Sequence, residues 1–453
     1  MTSLEKRATL SLASIYALRM LGLFMILPVL SIFAEKMEGA TPLLIGLAIS
    51  IYGLTQAILQ IPFGLLSDHF GRKKIIIIGL ILFSAGSVVA AVSTTIYGVL
   101  IGRAIQGSGA IAAAIMALVA DLTQEVHRTK AMAMIGASIG VSFGVAITLG
   151  PILAAYMGIA GIFWLTAILA LLAILVVLFI VPNPKKSIVH RDAELIPSQV
   201  LNVLKNPDLL RLDYGIFILH LCLTASFVVL PLLIRDAGLA PDDHWMIYLP
   251  ILVTSLAVII PFVIIAEKKR QMKEVFVGAI ITLILANIGL YMYSHVLVGL
   301  IGFLWLFFCG FNLLEATLPS LISKTALGDL KGTAMGAYSS AQFMGAFVGG
   351  AVGGWLYGEW GAVATFLFCA IATYSWLIVA LFMKAPVYLA NMLISLDGVN
   401  EAKGEDFVSE LLNIEGIEEV KLYFEESVAY LKVDNQRLLK SELQKLLNQW
   451  VMD

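Results

Sequence analysis

Apolar residues in this chain come in long unbroken runs, not in the alternation of a half-buried strand or the stripe of an amphipathic helix. Runs near 10–34, 42–67, 75–93, 95–120, 130–156, 160–181, 212–235, 244–266, 274–293, 296–323, 332–357 and 361–383 each hold about the 20 residues that a helix needs to cross a bilayer core. The pattern predicts twelve membrane-spanning helices. Connections such as Ser93–Thr95 and Ser294–Val296 leave room only for tight turns between antiparallel neighbours. The first run is too long for the apolar part of a leader and has no convincing small-residue cleavage site, so it reads as a span.

Composition supports lipid as the main solvent. Of 453 residues, 60% are hydrophobic and 13% charged, against about 25% charged in soluble domains. Basic residues orient the spans. With the N-terminus inside, the inner loops receive Lys6, Arg7, Arg72, Lys73, Lys74, Arg128, Lys130, Lys185, Lys186, Arg191, Lys205, Arg211, Lys268, Lys269, Arg270, Lys273, Lys324, Lys331 and Lys384. The outer loops receive Lys36 and Arg235. Both termini are therefore expected in the cytoplasm. Nothing in the charge pattern suggests nucleic acid. Cys222, Cys309 and Cys369 stand far apart in apolar runs, which gives no metal spacing and no disulfide.

A polar, proline-containing stretch at 182–211 divides the spans six and six, giving expected bundles at 1–181 and 212–384. The halves resemble each other. "IPFGLLSDHFGRKK" (61–74) aligns without gaps to "IPFVIIAEKKRQMK" (260–273), and "DLTQEVHRTKAMAM" (121–134) has a weaker echo in "KTALGDLKGTAMGA" (324–337). Six spans per half with an internal repeat point to two pseudo-symmetric bundles around a central path.

The second run ends in an abrupt charged edge, Gly64-x-x-x-Asp68-x-x-Gly71-Arg72-Lys73-Lys74. Topology alone needs the cations but not an aspartate, nor glycines at fixed offsets. Here the sequence resembles the loop motif of the major facilitator superfamily. Further matches are "RAIQGSGAIAAA" (103–114) and "GASIGVSFGVAITLGPILAAYMG" (136–158), the second similar to a segment of that family's proton-coupled drug antiporters. Four glycines expected in that segment are alanines here, while Gly150 and Pro151 stand.

The resemblance implies a latch. Asp68 would face the start of the eleventh span near Gly332–Met335, where a helix dipole stabilises a carboxylate by roughly 0.3–1 kcal/mol. Arg72 would pair with Asp121. Gly64 would allow close helix approach, and Gly71 the turn. The second copy has lost these types, with Val263, Glu267, Arg270 and Gln271 at the matching positions. Gly150 and Pro151 are expected at a kinked, closely packed part of the fifth span.

Arg19, Arg103 and Glu315 lie within spans, and a charge at mid-bilayer costs about 2.5–3.5 kcal/mol on insertion scales. They are expected to line the cavity of a substrate and proton pathway. His220 is a candidate proton carrier, because imidazole ionises near pH 6.5. Asn312, Tyr52, Gln56, Gln60 and Phe227 are candidate cavity groups, and Tyr52, Gln56 and Gln60 share one helical face. Asp213 is expected at the inner interface.

Past Lys384 the chain turns acidic, with 13 acids against 6 bases over 388–453. A strand near 389–396, a helix at 404–413, two strands in "EVKLYFEESVAYLKVD" turning at "EES", and a helix at 436–449 give the order β-α-β-β-α. This resembles a ferredoxin-like, heavy-metal-associated domain without its Cys-x-x-Cys, so no metal is expected. Its small size favours self-association or docking on the cytoplasmic loops.

The expected molecule is thus an all-α integral membrane protein with a small α+β cytoplasmic domain. The resemblance implies a proton-coupled transporter in a bacterial inner membrane, expelling small drug-like molecules. It needs no cofactor, and its partners are the lipid bilayer, the small-molecule substrate and protons. A non-transporting membrane sensor that signals through the tail is the rival reading. No nucleophile–base or nucleotide-binding pattern suggests an enzyme.

Overall fold

The computed structural model describes residues 1–183, 197–326, 330–383, 390–396, 403–424, 427–434 and 437–452. The middle of the expected linker, Lys384 and two residues of the expected "EES" turn lie outside the described residues.

The first run forms α1 (Ser3–Met25) and the short α2 (Leu30–Ala34), with Pro28 in the break. Thr2 starts α1 in a capping box with Glu5. Next come α3 (Pro42–Phe70) and α4 (Arg72–Val92). They share one turn residue, Gly71, whose φ of 97° is a left-handed conformation that favours glycine. The fourth run is broken into α5 (Ile96–Ser108) and α6 (Ala112–Leu122). The fifth and sixth runs are joined as α7 (Glu125–Phe179), a 55-residue helix whose backbone departs from helical geometry at Gly158 (φ 66°, ψ −178°).

The second half opens with the amphipathic α8 (Pro197–Lys205) and continues through α9 (Pro207–Asp236), α10 (Trp245–Lys268), α11 (Met272–Tyr293), α12 (Leu297–Thr325), α13 (Lys331–Trp360) and α14 (Ala362–Leu381). Asn206 caps α9 by accepting from the amides of Asp208 and Leu209, with Pro207 at the first helical position.

Ten stretches among the described residues are long and apolar enough to cross a membrane. Two features separate this from twelve expected runs: α7 holds two of them as one helix, and α13 is not among the ten. The reason in α13 is glycine. Its sequence is dense in glycine, serine and alanine because it packs on both sides. Gly345, Gly349 and Gly353 lie against the backbone of α9 at Phe217, Leu221 and Ala225. On another face, Gly350, Gly354 and Gly358 lie against α3 at Pro42, Gly46 and Ser50. Small residues permit such backbone approach between membrane helices, at the expense of the apolar side chains that mark a span. The first contact is within the second half; the other joins the halves.

One apolar core runs through the second half, from Val203 to Met383. The first half has two, one nearer the basic end and one nearer the other.

The tail forms β1 (Ala390–Ser395), α15 (Gly404–Leu412), β2 (Ile417–Tyr423), β3 (Val428–Val433) and α16 (Lys440–Met452). The antiparallel sheet has the order β1-β3-β2, with its own core around Phe407, Leu411 and Leu431. The tail meets the helices through polar contacts. Asp434 takes both Arg270 Nη2 (2.9 Å) and Nη1 (3.4 Å), and Lys432 Nζ donates to the carbonyls of Lys324 (3.5 Å) and Thr325 (3.4 Å) at the end of α12.

Candidate functional site: a cavity between the halves

A cavity of about 1480 Å³ lies between the halves, walled by α1, α3 and α7 on one side and α10, α12 and α13 on the other. It reaches from Glu315, His220 and Tyr52 down to Asp68, Arg72 and Lys331 at the basic end. Its upper part is aromatic. Phe143 of α7 stacks on Phe311 of α12 (6.3 Å between centroids) and meets Phe24 of α1 edge-on (5.0 Å). Beyond these rings the halves are joined. Arg235 Nη1 at the end of α9 lies 2.5 Å from Glu35 Oε2 at the end of α2, and Ser31 Oγ donates to the Phe227 carbonyl (3.3 Å). The cavity is thus walled off at the end away from the basic loops.

At the basic end, Arg72 is buried, with its Nε 3.4 Å from Asp121 Oδ2, its Nη1 donating to Ser67 Oγ (2.9 Å), and a close ion pair to Asp68. Asp68 is 33% exposed and lines the cavity with Lys331, Gly332 and Met335. Among the described residues, no hydrogen bond or ion pair joins it to α13. Gly64 packs on Ala113 of α6, within its own half. The expected contact of Asp68 with α13 is therefore open here, while the pairs of Arg72 with Asp68 and with Asp121 are made.

Across the repeat the chemistry is recast. Glu267, matching Asp68, takes Lys324 at 2.7 Å, and Lys324 matches Asp121. The second half thus links the counterparts of α3 and α6 directly, where the first half links them through Arg72 of α4. Arg270, matching Gly71, keeps a left-handed φ of 54° without being glycine.

Of the two arginines within spans, Arg19 departs from the expectation and Arg103 meets it in position. Arg19 is fully buried and does not line the cavity. Its Nη2 donates to Tyr52 Oη (2.7 Å), Gln56 Oε1 (2.8 Å) and the Gly109 carbonyl (2.9 Å). That carbonyl lies in the break between α5 and α6, where it also accepts from the Ile111 amide (3.0 Å), so the guanidinium is a second partner for backbone outside regular helix. Arg103 touches the cavity but is spent on α3, donating to the carbonyls of Ala48 (3.1 Å) and Ile49 (2.9 Å) and to Gln106 Oε1 (2.9 Å). Gln56 is buried behind Tyr52 and Gln60, which do reach the cavity. Phe227 is buried against Tyr248 and Phe308, outside the cavity.

Glu315 is the acid at mid-depth. Its side chain is 39% exposed; Oε1 accepts from Gln342 Nε2 (3.4 Å), and Oε2 lies 3.9 Å from His220 Nε2. Gln342 Nε2 is 2.8 Å from the same imidazole nitrogen. Asn312 lies on the same wall, donating to Ser255 Oγ (3.0 Å). Gln342 and Tyr338 escaped the sequence reading, because a polar residue in glycine-rich α13 carries no periodic signal.

In α7, Gly136, Gly140 and Gly144 line the cavity with no neighbour within 4 Å of a would-be Cβ, whereas a Cβ at Gly150 would lie 2.6 Å from the Met25 carbonyl oxygen. Gly150 and Pro151 thus pack on the kink where α1 ends. The three cysteines are buried thiols. No metal-competent cluster occurs among the described residues.

Residues 12–350 match the family described as Major Facilitator Superfamily. The chain is 45% identical over 449 residues to "Inner membrane transport protein YajR" of Escherichia coli (strain K12), covering 99% of each. It is 27% identical over 351 residues to "Multidrug resistance protein 2" of Bacillus subtilis (strain 168), covering 74% of this chain and 85% of that one. Among solved structures, a D-xylose-proton symporter superposes with a TM-score of 0.66 at 15% identity, over 85% of this chain and 98% of that one, which bears on the fold alone.

Proposed function

Because the chain belongs to the Major Facilitator Superfamily and is a membrane transporter rather than an enzyme, we propose that it expels small drug-like molecules in exchange for protons by alternating access. The observation that carries this reading is the one-sided cavity. It is open along the basic end, closed at the other by the Glu35–Arg235 pair and an aromatic roof, and holds one carboxylate beside one imidazole at mid-depth. A largely apolar, aromatic-lined chamber suits an amphipathic cargo. The relative named for multidrug resistance supports the same class. Glu315 and His220 are the proposed proton carriers, with Asn312, Tyr52 and Gln60 as cavity contacts. Arg19, Arg103 and Gln56 hold the first half rigid behind them.

In this reading the chain crosses the inner membrane twelve times, with α7 counted on either side of Gly158 and α13 as the eleventh crossing. Both termini face the cytoplasm. The bundles are 1–181 and 212–384, joined by 182–211, and 388–453 is a ferredoxin-like domain. Asp68, with Gly64, Gly71, Arg72 and Asp121, forms a latch on α13 that is released in the cytoplasm-open state. The α3–α13 contacts support this. Every glycine approach between them pairs residues whose numbers add to 396 or 400, from Pro42–Gly358 to Gly53–Phe343. Continued inward, that register sets Gly64 opposite Gly332 and Gly336, and Asp68 at the start of α13.

The test is flux. Purified protein in proteoliposomes should move ethidium against its gradient when a proton gradient is imposed, and collapse of the gradient should stop it. Absence of flux across a panel of toxic compounds, with ligand-dependent movement of the tail, would favour sensing instead.

A further inference from the structure

Resting on the transport reading above, we infer that Tyr338 and Asp213 form a proton exit from Glu315 to the cytoplasmic face, running through the second half behind the cargo. Buried polar atoms ordinarily find a partner in protein or water. Here several that do not are gathered in one place. Glu315 Oε2, His220 Nδ1, Tyr338 Oη and Asp213 Oδ1 are all buried without a hydrogen-bond partner among the described residues. They come from three helices that pack together, α9, α12 and α13. The α9–α13 contacts Phe217–Gly345, Leu221–Gly349 and Ala225–Gly353 keep one offset of 128, which continued inward sets residue 341, one turn from Tyr338, opposite Asp213.

The order along the membrane normal suits a relay. Asp213 is six residues into α9, about 9 Å from its cytoplasmic start, and His220 is two turns farther, about 10 Å by helix rise. Tyr338 and Gln342 stand one turn apart on α13, and Gln342 touches both Glu315 and His220. Glu315, His220, Gln342 and Tyr338 line the cavity; Asp213 does not and is only 8% exposed. Asp213 thus stands near the cytoplasmic start of α9 but buried in protein. A buried carboxylate without a partner is costly, and no structural bond here repays it.

Most other ionisable groups around Asp213 are paired or neutral, and Lys205 and Lys331 are the lysines on its cytoplasmic side. On its own helix, Arg211 is paired with Asp208 (2.5 Å) and Tyr214 bonds Ser375. On α12, Lys324 is held by Glu267. On α14 only Cys369 and Tyr374 are ionisable, and on α8 only Lys205. From α13 come Tyr338 and, at the helix start, Lys331.

Cargo filling the cavity would cover Glu315 and cut its contact with cavity water. The exit then lets the proton leave as cargo enters. Glu315 passes its proton through bridging water to the Tyr338 oxygen, while the Tyr338 hydroxyl proton passes through water to the Asp213 carboxylate. Tyr338 ends unchanged, Glu315 ends as carboxylate, and Asp213 ends as an acid that deprotonates toward the cytoplasm.

Asp213→Asn and Tyr338→Phe, each nearly isosteric, separate this from a structural role. In proteoliposomes with ethidium as the probe, both should slow proton-driven flux by about tenfold or more, and Asp213→Asn, which lies outside the cavity, should leave ethidium–ethidium exchange, which needs no net proton transfer, at the wild-type rate. Asp213→Glu should restore driven flux. Unaltered driven flux in either variant, or driven flux and exchange reduced alike in Asp213→Asn, would overturn the exit while leaving transport standing. Wild-type protein inert in both assays would instead overturn the transport reading itself.

Discussion

The α3–α13 register makes a prediction that can be worked to the residue. The two helices touch from Pro42–Gly358 to Gly53–Phe343 and then part toward the cytoplasm, where Ile61 and Ser339 both line the cavity. The numbers 61 and 339 add to 400, the sum shared by the Gly46–Gly354 and Ser50–Gly350 contacts. Closure of the cytoplasmic end should extend this contact from Gly53 to Asp68, about 22 Å of helix at 1.5 Å per residue. Cysteines at 61 and 339 would then come within the 4.4–6.8 Å between Cα atoms that a disulfide tolerates. With a protease site placed in 184–196, oxidised Ile61→Cys/Ser339→Cys protein should stay one species after cleavage, separate on reduction, and transport only when reduced. Adding Asp68→Asn removes a carboxylate from the α13 N-terminus, worth about 1 kcal/mol there. The closed-to-open ratio, and with it the initial cross-linking rate, should fall about fivefold. Equal or faster cross-linking of an out-of-register pair such as Ile61→Cys/Ala346→Cys would refute the register, and an unaltered rate in Asp68→Asn would refute the dipole contact.

Other consequences can be checked separately. Glu35→Gln or Arg235→Ala removes the ion pair opposite the basic end; both partners are about one-third exposed, so the loss should be under about 1 kcal/mol. It should show as greater labelling of an outward-facing cysteine probe, and no gain in labelling would count against a gating role. Glu315→Gln should remove the pH dependence of transport while sparing ethidium exchange; a retained pH response would take Glu315 out of the proton path. Gly349→Leu drives a side chain into the α9 backbone at Leu221 and should cost about 1–3 kcal/mol, read as a lowered Tm in detergent. Gly140→Ala meets no neighbour and should leave Tm unaltered or slightly raised.

Long apolar runs and the basic loops made most of the helical architecture legible, because lipid demands continuous apolar length and cations follow the inner side. Packing replaces hydropathy in two places, and both elements were still legible. In α13, glycine on two faces lowers apolarity because the helix is clasped on both sides, yet the run at 332–357 marks the helix at Lys331–Trp360. In α7 the boundary read between 156 and 160 falls on Gly158, though one kinked helix stands where a connection between two spans was expected. At the site, Arg72–Asp121 followed from a motif, but the Glu267–Lys324 bond did not. A charge order altered across a repeat looks like decay until the partners are seen in space. Arg19 was expected in the cavity because its cost in lipid is plain from sequence. The carbonyl it serves is not, since the break before Ala112 has no marker beyond one glycine.

Among the described residues, the tail is tied to the second half through Arg270–Asp434 and the Lys432 contacts to the end of α12. Under the proposed alternating access, it is therefore a passenger on one of two rocking bodies. A fluorophore on its sheet would report the tilt of that body, and a cytosolic molecule gripping the sheet would load one arm of the rocker alone.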